Sequence, residues 1–277
     1  MKQDRISQTA LKVALGLVTL SIKDDWAGRL PTGLVELSER LLLASGAFGF
    51  GSRLMRASKK QWMVRVYEFQ DRMMPGQWQA FGLRKIYIQQ QVERAIEQGA
   101  RQVLVLGAGF DTLCLRLAPQ YGDVNFFEVD HPATSAAKGK GIAEVGRPEN
   151  VFQIAADLGE NSLSKVLSED GRWQVSQPAM IVAEGLLQYL RDEDVRGLFR
   201  EAAACSSQGS RIVFTHAIPH SRKLLPVMLW LTGEPWLSAV RNEELPGYVE
   251  GLGWTVISDV DTDVAHGLER YAVAELG

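Results

Sequence analysis

Short apolar runs and longer amphipathic stretches take turns between residues 101 and 217, and nothing else in the chain restricts its fold as tightly. RQVLVLGAGF, at 101–110, is an apolar run closed by two glycines, suited to a strand buried on both faces. DTLCLRLAPQYG then reads as a short helix with Asp111 as its N-cap, and VNFFEVD, at 124–130, as a second strand. The rhythm continues with a helix over 132–145, a strand over 151–155, a helix near 162–168 and a strand in PAMIVAEG at 178–185. A helix over 192–205 and a fifth strand in SRIVFTH, at 210–216, complete it. Ahead of the first strand, residues 82–100 place Ile88, Val92, Ala95 and Ile96 on one helical face and Gly99 as a stop. Such alternation predicts an α/β domain with a mainly parallel sheet.

The two ends of the chain break the pattern. After a helix near 242–252, WTVISDV at 254–260 and ERYAVAEL at 269–276 lie too close for a helical crossover, so they should pair antiparallel. Residues 1–80 carry helical patterns interrupted at 29–33, 46–51 and 75–76, with Trp26, Trp62 and Trp78 but no convincing strand. They are expected to form a helical cap, residues 81–277 the α/β domain, and 217–241, with its apolar KLLPVMLWLTGEPW, an insertion into the cap. The apolar run LKVALGLVTL, at 11–20, is too short to span a bilayer and reads as a core or lid helix.

Composition limits the partners. A formal charge of -3 supplies no basic field, which disfavours nucleic acid and an anionic membrane. The only cysteines, Cys114 and Cys205, sit in helical patterns and cannot complete a zinc site, so a reducing, cytosolic compartment and no metal are expected.

Gly107 and Gly109 lack the Cβ atoms that would hold a ligand away from the end of the first strand, where ligands of open α/β sheets bind. The third position of the dinucleotide fingerprint is Thr112, and Asp111 would repel a pyrophosphate from the helix N-terminus. Asp130 ends the second strand near the spacing at which an acid accepts from ribose hydroxyls, with capping before Pro132 as its other role. Asp157 follows the third strand, where it can accept from an adenine amine while Leu158 covers the ring. Glu184 ends the fourth strand, beside the first. Each of these two acids also has a local use, in a turn or a cap. Together the strand ends favour a ribose-bearing ligand with a positive centre.

LRKIYI at 83–88, VLVLGAGFDT at 103–112, FFEVDHP at 126–132, ADL at 156–158 and AEGLLQYL at 183–190 make the chain resemble the leucine carboxyl methyltransferase family, which uses S-adenosyl-L-methionine. The resemblance extends to bacterial members acting on small molecules and covers residues 80–216. It implies a Rossmann-like class I methyltransferase sheet closed by an antiparallel hairpin. It also implies that Arg84 pairs with the methionine carboxylate, that Gly107 and Gly109 admit the cofactor and that Asp130 holds the ribose. Asp157 and Leu158 would contact adenine, and Glu184 the methionine amino group.

Methyl transfer by such a chain needs alignment and exclusion of water. A carboxylate acceptor is already ionised near neutral pH, whereas a hydroxyl profits from a base. His216, at the end of the fifth strand, is the candidate, with His131 and His220 behind it, and Tyr189 can hydrogen-bond an acceptor. A small, largely apolar acceptor is the expected partner. The rival readings are a nicotinamide-dependent oxidoreductase and a cofactor-binding protein without turnover.

Overall fold

The computed structural model describes residues 8–47, 51–73, 76–219, 236–260 and 269–277. Its centre is a seven-stranded sheet of β1 (Gln102–Leu106), β2 (Asn125–Asp130), β3 (Val151–Ala155), β4 (Ala179–Ala183), β5 (Arg211–Ala217), β6 (Trp254–Val260) and β7 (Glu269–Leu276). The strand order is β3-β2-β1-β4-β5-β7-β6. β1 to β5 run parallel, and β7 is antiparallel to both β5 and β6. This is the Rossmann-like class I methyltransferase sheet that the sequence leads one to expect.

The sequence places β6 and β7 side by side without saying which adjoins β5. It is β7, because Tyr271 to Ala274 are buried in succession, as an interior strand requires, whereas β6 exposes Thr255 and Ile257 and tolerates an edge. A bulge between Val256 and Ser258 bends that edge strand.

Alternate residues of each strand feed two cores. On one face Val103, Val105, Met180, Val182 and Val213 pack against α5 (Gln77–Glu97), α6 (Leu113–Leu117) and α7 (Pro132–Val145). The N-terminal helices α1 (Gln8–Ser21), α2 (Leu34–Ser45) and α3 (Gly51–Ser58) contribute Leu11, Val18, Leu41 and Met55 to that same core. On the other face Leu104, Leu106, Ile181, Ile212 and Phe214 pack against α8 (Leu163–Asp170), α9 (Asp192–Ala204) and α10 (Leu245–Glu250). Between α3 and α5, α4 (Gln61–Met73) sends Val64 and Tyr67 into a satellite cluster with Trp26 and Trp78. Trp62 stays exposed.

Two helix starts differ from the sequence reading. α5 begins at Gln77, five residues before Gly82, because that glycine does not interrupt the helix but lets it approach α1 and Trp26; a Cβ there would stand 2.5 Å from the indole. α6 begins at Leu113, with Thr112 at the N-cap position making no side-chain cap. Asp111 still satisfies the helix start, accepting from the Leu113 amide at 3.0 Å from one residue further out. Residues 220–235, most of the expected insertion, lie outside the described residues, as does His220.

α2 is locked against α7 where the two helices cross. A Cβ on Gly141 would lie 2.5 Å from the Leu41 carbonyl oxygen, a backbone atom that cannot yield alone. Gly141→Ala should therefore destabilise the protein by about 1–3 kcal/mol, although alanine is the better helix former by about 1 kcal/mol. Gly139→Ala on the same helix meets only the end of Gln153, and its urea unfolding midpoint should stay near or above that of the parent. Equal midpoints for the two variants would show that α2 does not hold α7 this closely.

Candidate active site

The strand order reverses between β1 and β4: the chain moves outward from β1 through β2 to β3, then returns to place β4 on β1's other side. The crevice beyond the C-terminal ends of β1 and β4 is where open α/β sheets take ligands. Gly107 and Gly109 enter it with φ of +63° and +50°, a left-handed conformation that side chains rarely adopt. The Gly107 amide is tied to the Val129 carbonyl at 2.8 Å. A Cβ on Gly107 would press against Leu186 at 3.0 Å, so only a glycine lets the Leu186 side chain lie this close over the turn.

Asp130, at the end of β2, is bound to this turn. Its two carboxylate oxygens accept from the Gly109 amide and, at 2.6 Å, from the His131 amide. Each oxygen retains accepting capacity for a further donor. Burial raises its pKa, and the two amides oppose that rise.

Behind the turn lies a buried ionic cluster. Glu184, next after β4, takes the Arg84 Nε at 2.7 Å and the Lys85 Nζ at 2.8 Å on one oxygen, Oε1. Arg84 reaches on to Glu269 of β7 at 3.0 Å, and Lys85 to Asp111 at 3.1 Å. Glu269 also accepts from Gln188 at 2.9 Å. Gly185, at φ +60°, lets the chain turn directly under the Arg84 guanidinium. Burial alone would raise the Asp111 pKa, but Lys85, Lys138 and Arg116 bring it down to about 2. Burial likewise opposes the charge on Arg84, yet Glu184 and Glu269 raise its pKa.

Arg84 and Lys85 thus join Glu184, Glu269 and Asp111, and Glu184 Oε2 is buried without a hydrogen-bond partner. An unmatched buried acceptor costs about 1–3 kcal/mol. A cationic donor brought into the crevice would relieve it. That orphaned oxygen, beside a turn whose two glycines carry no side chain, fits the amino acid end of S-adenosyl-L-methionine.

Asp157 and Leu158 follow β3. Asp157 accepts from the Gly159 amide at 2.9 Å, lies 3.7 Å from His131 Nε2 and borders an open cleft of about 470 Å³. Leu158 packs on the core beneath it. The neighbouring ring of His131 caps α7 through the Ala133 amide. Tyr189, in the helical turn Leu187–Tyr189, lies near enough to Arg84 to act on its charge.

His216 is not brought to this cluster. Along β5, Thr215 accepts from the Gly185 amide at 2.8 Å, and the pleat turns His216 to the opposite face. There it is buried and lines a small cavity of about 20 Å³ with Leu187, Phe199 and Tyr248. Neither ring nitrogen has a hydrogen-bond partner, and burial pushes its pKa down to about 4. An imidazole so adjusted is a weak proton acceptor.

Sequence reasoning missed Lys85, Glu269 and Gln188. Lys85 reads as a surface helix charge beside Arg84, and Glu269 belongs to no motif; only the pairing of β7 with β5, which sets Ala217 against Glu269, carries it to the crevice. Among the described residues no group of three or more His, Cys, Asp or Glu side chains is placed to hold a metal.

The folded pKa of His216 lies below its unfolded value of about 6.5. The unfolded chain therefore binds the extra proton first, so the stability linked to this residue is complete above about pH 6.5 and is lost as pH falls through about 4. Urea titrations should show a loss of about 3 kcal/mol across that window, and His216→Leu should flatten it. An unchanged slope in the variant would place the titration elsewhere.

A family model described as leucine carboxyl methyltransferase matches residues 40–203. A protein of Parafrankia sp. (strain EAN1pec) is 28% identical over 203 residues, 70% of this chain and 64% of its own length. A protein of Mycobacterium avium (strain 104) is 32% identical over 176 residues, 58% of this chain and 56% of its own length. Both are named provisionally as S-adenosyl-L-methionine-dependent methyltransferases, and the chain spans less than two thirds of either. Human N-acetylserotonin methyltransferase, solved with the cofactor, aligns at a TM-score of 0.49 and 12% identity over 72% of this chain and 55% of its own. A likeness of that degree adds nothing to the topology already described.

Proposed function

The chain belongs to the leucine carboxyl methyltransferase family, and on that premise we propose that it transfers the methyl group of S-adenosyl-L-methionine to an oxygen, carboxylate or hydroxyl, of a small, largely apolar metabolite. The observation that carries the reading is the buried, unpartnered Glu184 Oε2, whose carboxylate is joined through Lys85 to Asp111 beside the glycine turn. In this reading Glu184 receives the methionine amino group and Arg84 the carboxylate. Asp130 takes the ribose hydroxyls, and Asp157 with Leu158 the adenine.

When bound, the cofactor supplies a methyl group on a positively charged sulfur, open to displacement in line with its bond. The chain's own residues orient and neutralise. Glu269, itself held by Gln188, fixes Arg84 from β7, and Lys85 bridges Asp111 and Glu184. In this reading Tyr189 hydrogen-bonds an acceptor oxygen. The position of His216 on the opposite face, with a pKa of about 4, favours an acceptor that needs no base. A carboxylate meets that condition, since it is ionised above about pH 5.

Calorimetry with S-adenosylhomocysteine and with NAD separates this reading from an oxidoreductase. The former should bind, and Asp130→Ala should weaken it more than about tenfold, a loss above about 1.4 kcal/mol, with the circular dichroism spectrum unchanged. Unaltered affinity in the variant, or preference for NAD, would sink the assignment. Transfer of labelled methyl to a panel of apolar carboxylic acids then distinguishes an enzyme from a binding protein without turnover.

A further inference from the structure

Five of the eight large apolar side chains exposed among the described residues fall in one short part of the cap: Leu43, Leu54, Trp62, Val66 and Phe69. Three of them form a stripe. Trp62, Val66 and Phe69 are 54%, 39% and 62% exposed. Their spacing along α4 sets them within about 60° of arc. The opposite side of the same helix is anchored, with Val64 buried and Tyr67 stacked on Trp78 at 5.0 Å between ring centres. α4 is thus fixed by one face and, among the described residues, exposed on the other.

The charge around the stripe runs against that of the chain. Residues 51–73 hold Arg53, Arg56, Lys59, Lys60, Arg65 and Arg72, all exposed, against Glu68 and Asp71, while the whole chain carries -3. Asp71 is partly engaged by the Trp78 amide, and Lys59 by Glu39. Arg65 and Arg72 border the stripe along one side, about 60–80° from Trp62. The net charge argues against an anionic partner only if charge is evenly spread, and it is not.

We propose that this face of α4 docks on an anionic lipid surface. Trp62, Val66 and Phe69 enter the boundary between headgroups and acyl chains, and Arg65 and Arg72 meet the phosphates, the arrangement that holds amphipathic helices in the plane of a bilayer. No helix among the described residues is long and apolar enough to cross a membrane, so the contact is with its surface. A second copy of the chain fits the face less well. Arg65 lies midway along the stripe, and pairing two such faces about a two-fold axis would bring the two Arg65 side chains together, with Glu68 one turn away as the acid on that side.

The test is co-sedimentation of the full chain with vesicles of phosphatidylcholine alone and with phosphatidylglycerol added. Binding is expected to the anionic vesicles only, to fall as salt rises, and to weaken at least about tenfold in Arg65→Glu/Arg72→Glu. Trp62→Ala/Phe69→Ala should lose it as well while keeping S-adenosylhomocysteine affinity and the circular dichroism spectrum of the parent. Failure of the parent to bind anionic vesicles at low salt overturns the proposal, and so does equal binding by both variants. A dimer in analytical ultracentrifugation that dissociates in Trp62→Ala/Phe69→Ala, without vesicle binding, would assign the face to a second copy instead.

Discussion

The ion pair between Arg84 and Glu184 is the contact on which the crevice depends. It joins α5 to the end of β4 at 2.7 Å with both side chains almost wholly removed from solvent. Charges so buried are tolerable only when partnered, and removing one partner of such a pair costs about 3–5 kcal/mol. The remaining members follow from that requirement. Lys85 shares the same Glu184 oxygen and reaches Asp111, while Glu269 brings β7 to the far side of Arg84. One network therefore ties the glycine turn, the fourth strand, the helix before the sheet and the last strand. Within it Glu184 Oε2 and Gln188 Oε1 are buried without a hydrogen-bond partner.

The two faces of the sheet take different parts. Helices α1, α2 and α5 to α7 cover the face from which Arg84 and Lys85 come, while α8, α9 and α10 enclose a second core on the other. Strand pleating divides neighbouring residues between these environments. Thr215 supports the loop carrying Glu184 through the Gly185 amide, and His216, one residue later, lies in an apolar enclosure with a depressed pKa. A single step along β5 separates a residue that shapes the crevice from one that does not enter it.

Most of the sheet was legible because its strands are continuous apolar runs bounded by glycine, proline and acids. Helices 132–145 and 192–205 were read to within a residue for the same reason. The start of α5 was not, because Gly82 looks like a break and acts as a close contact with Trp26. Within the crevice, Gly107, Gly109 and Asp130 were legible from spacing: strand ends in a parallel sheet converge, and short-range geometry suffices to place them. Glu269 was illegible, lying 85 positions beyond Glu184 and meeting Arg84 only through the antiparallel pairing of β7.

The sequence by itself determined the alternation of elements, the parallel sheet with its antiparallel close, and the acids and glycines at the strand ends, since periodicity and turn chemistry are local properties. Only the tertiary structure decided that β7 stands inside β6, that Lys85 is buried while Trp62 is not, and that His216 faces away from the crevice. Those outcomes turn on which face of an element meets which neighbour, and that depends on long-range packing between segments whose own sequences leave either side open.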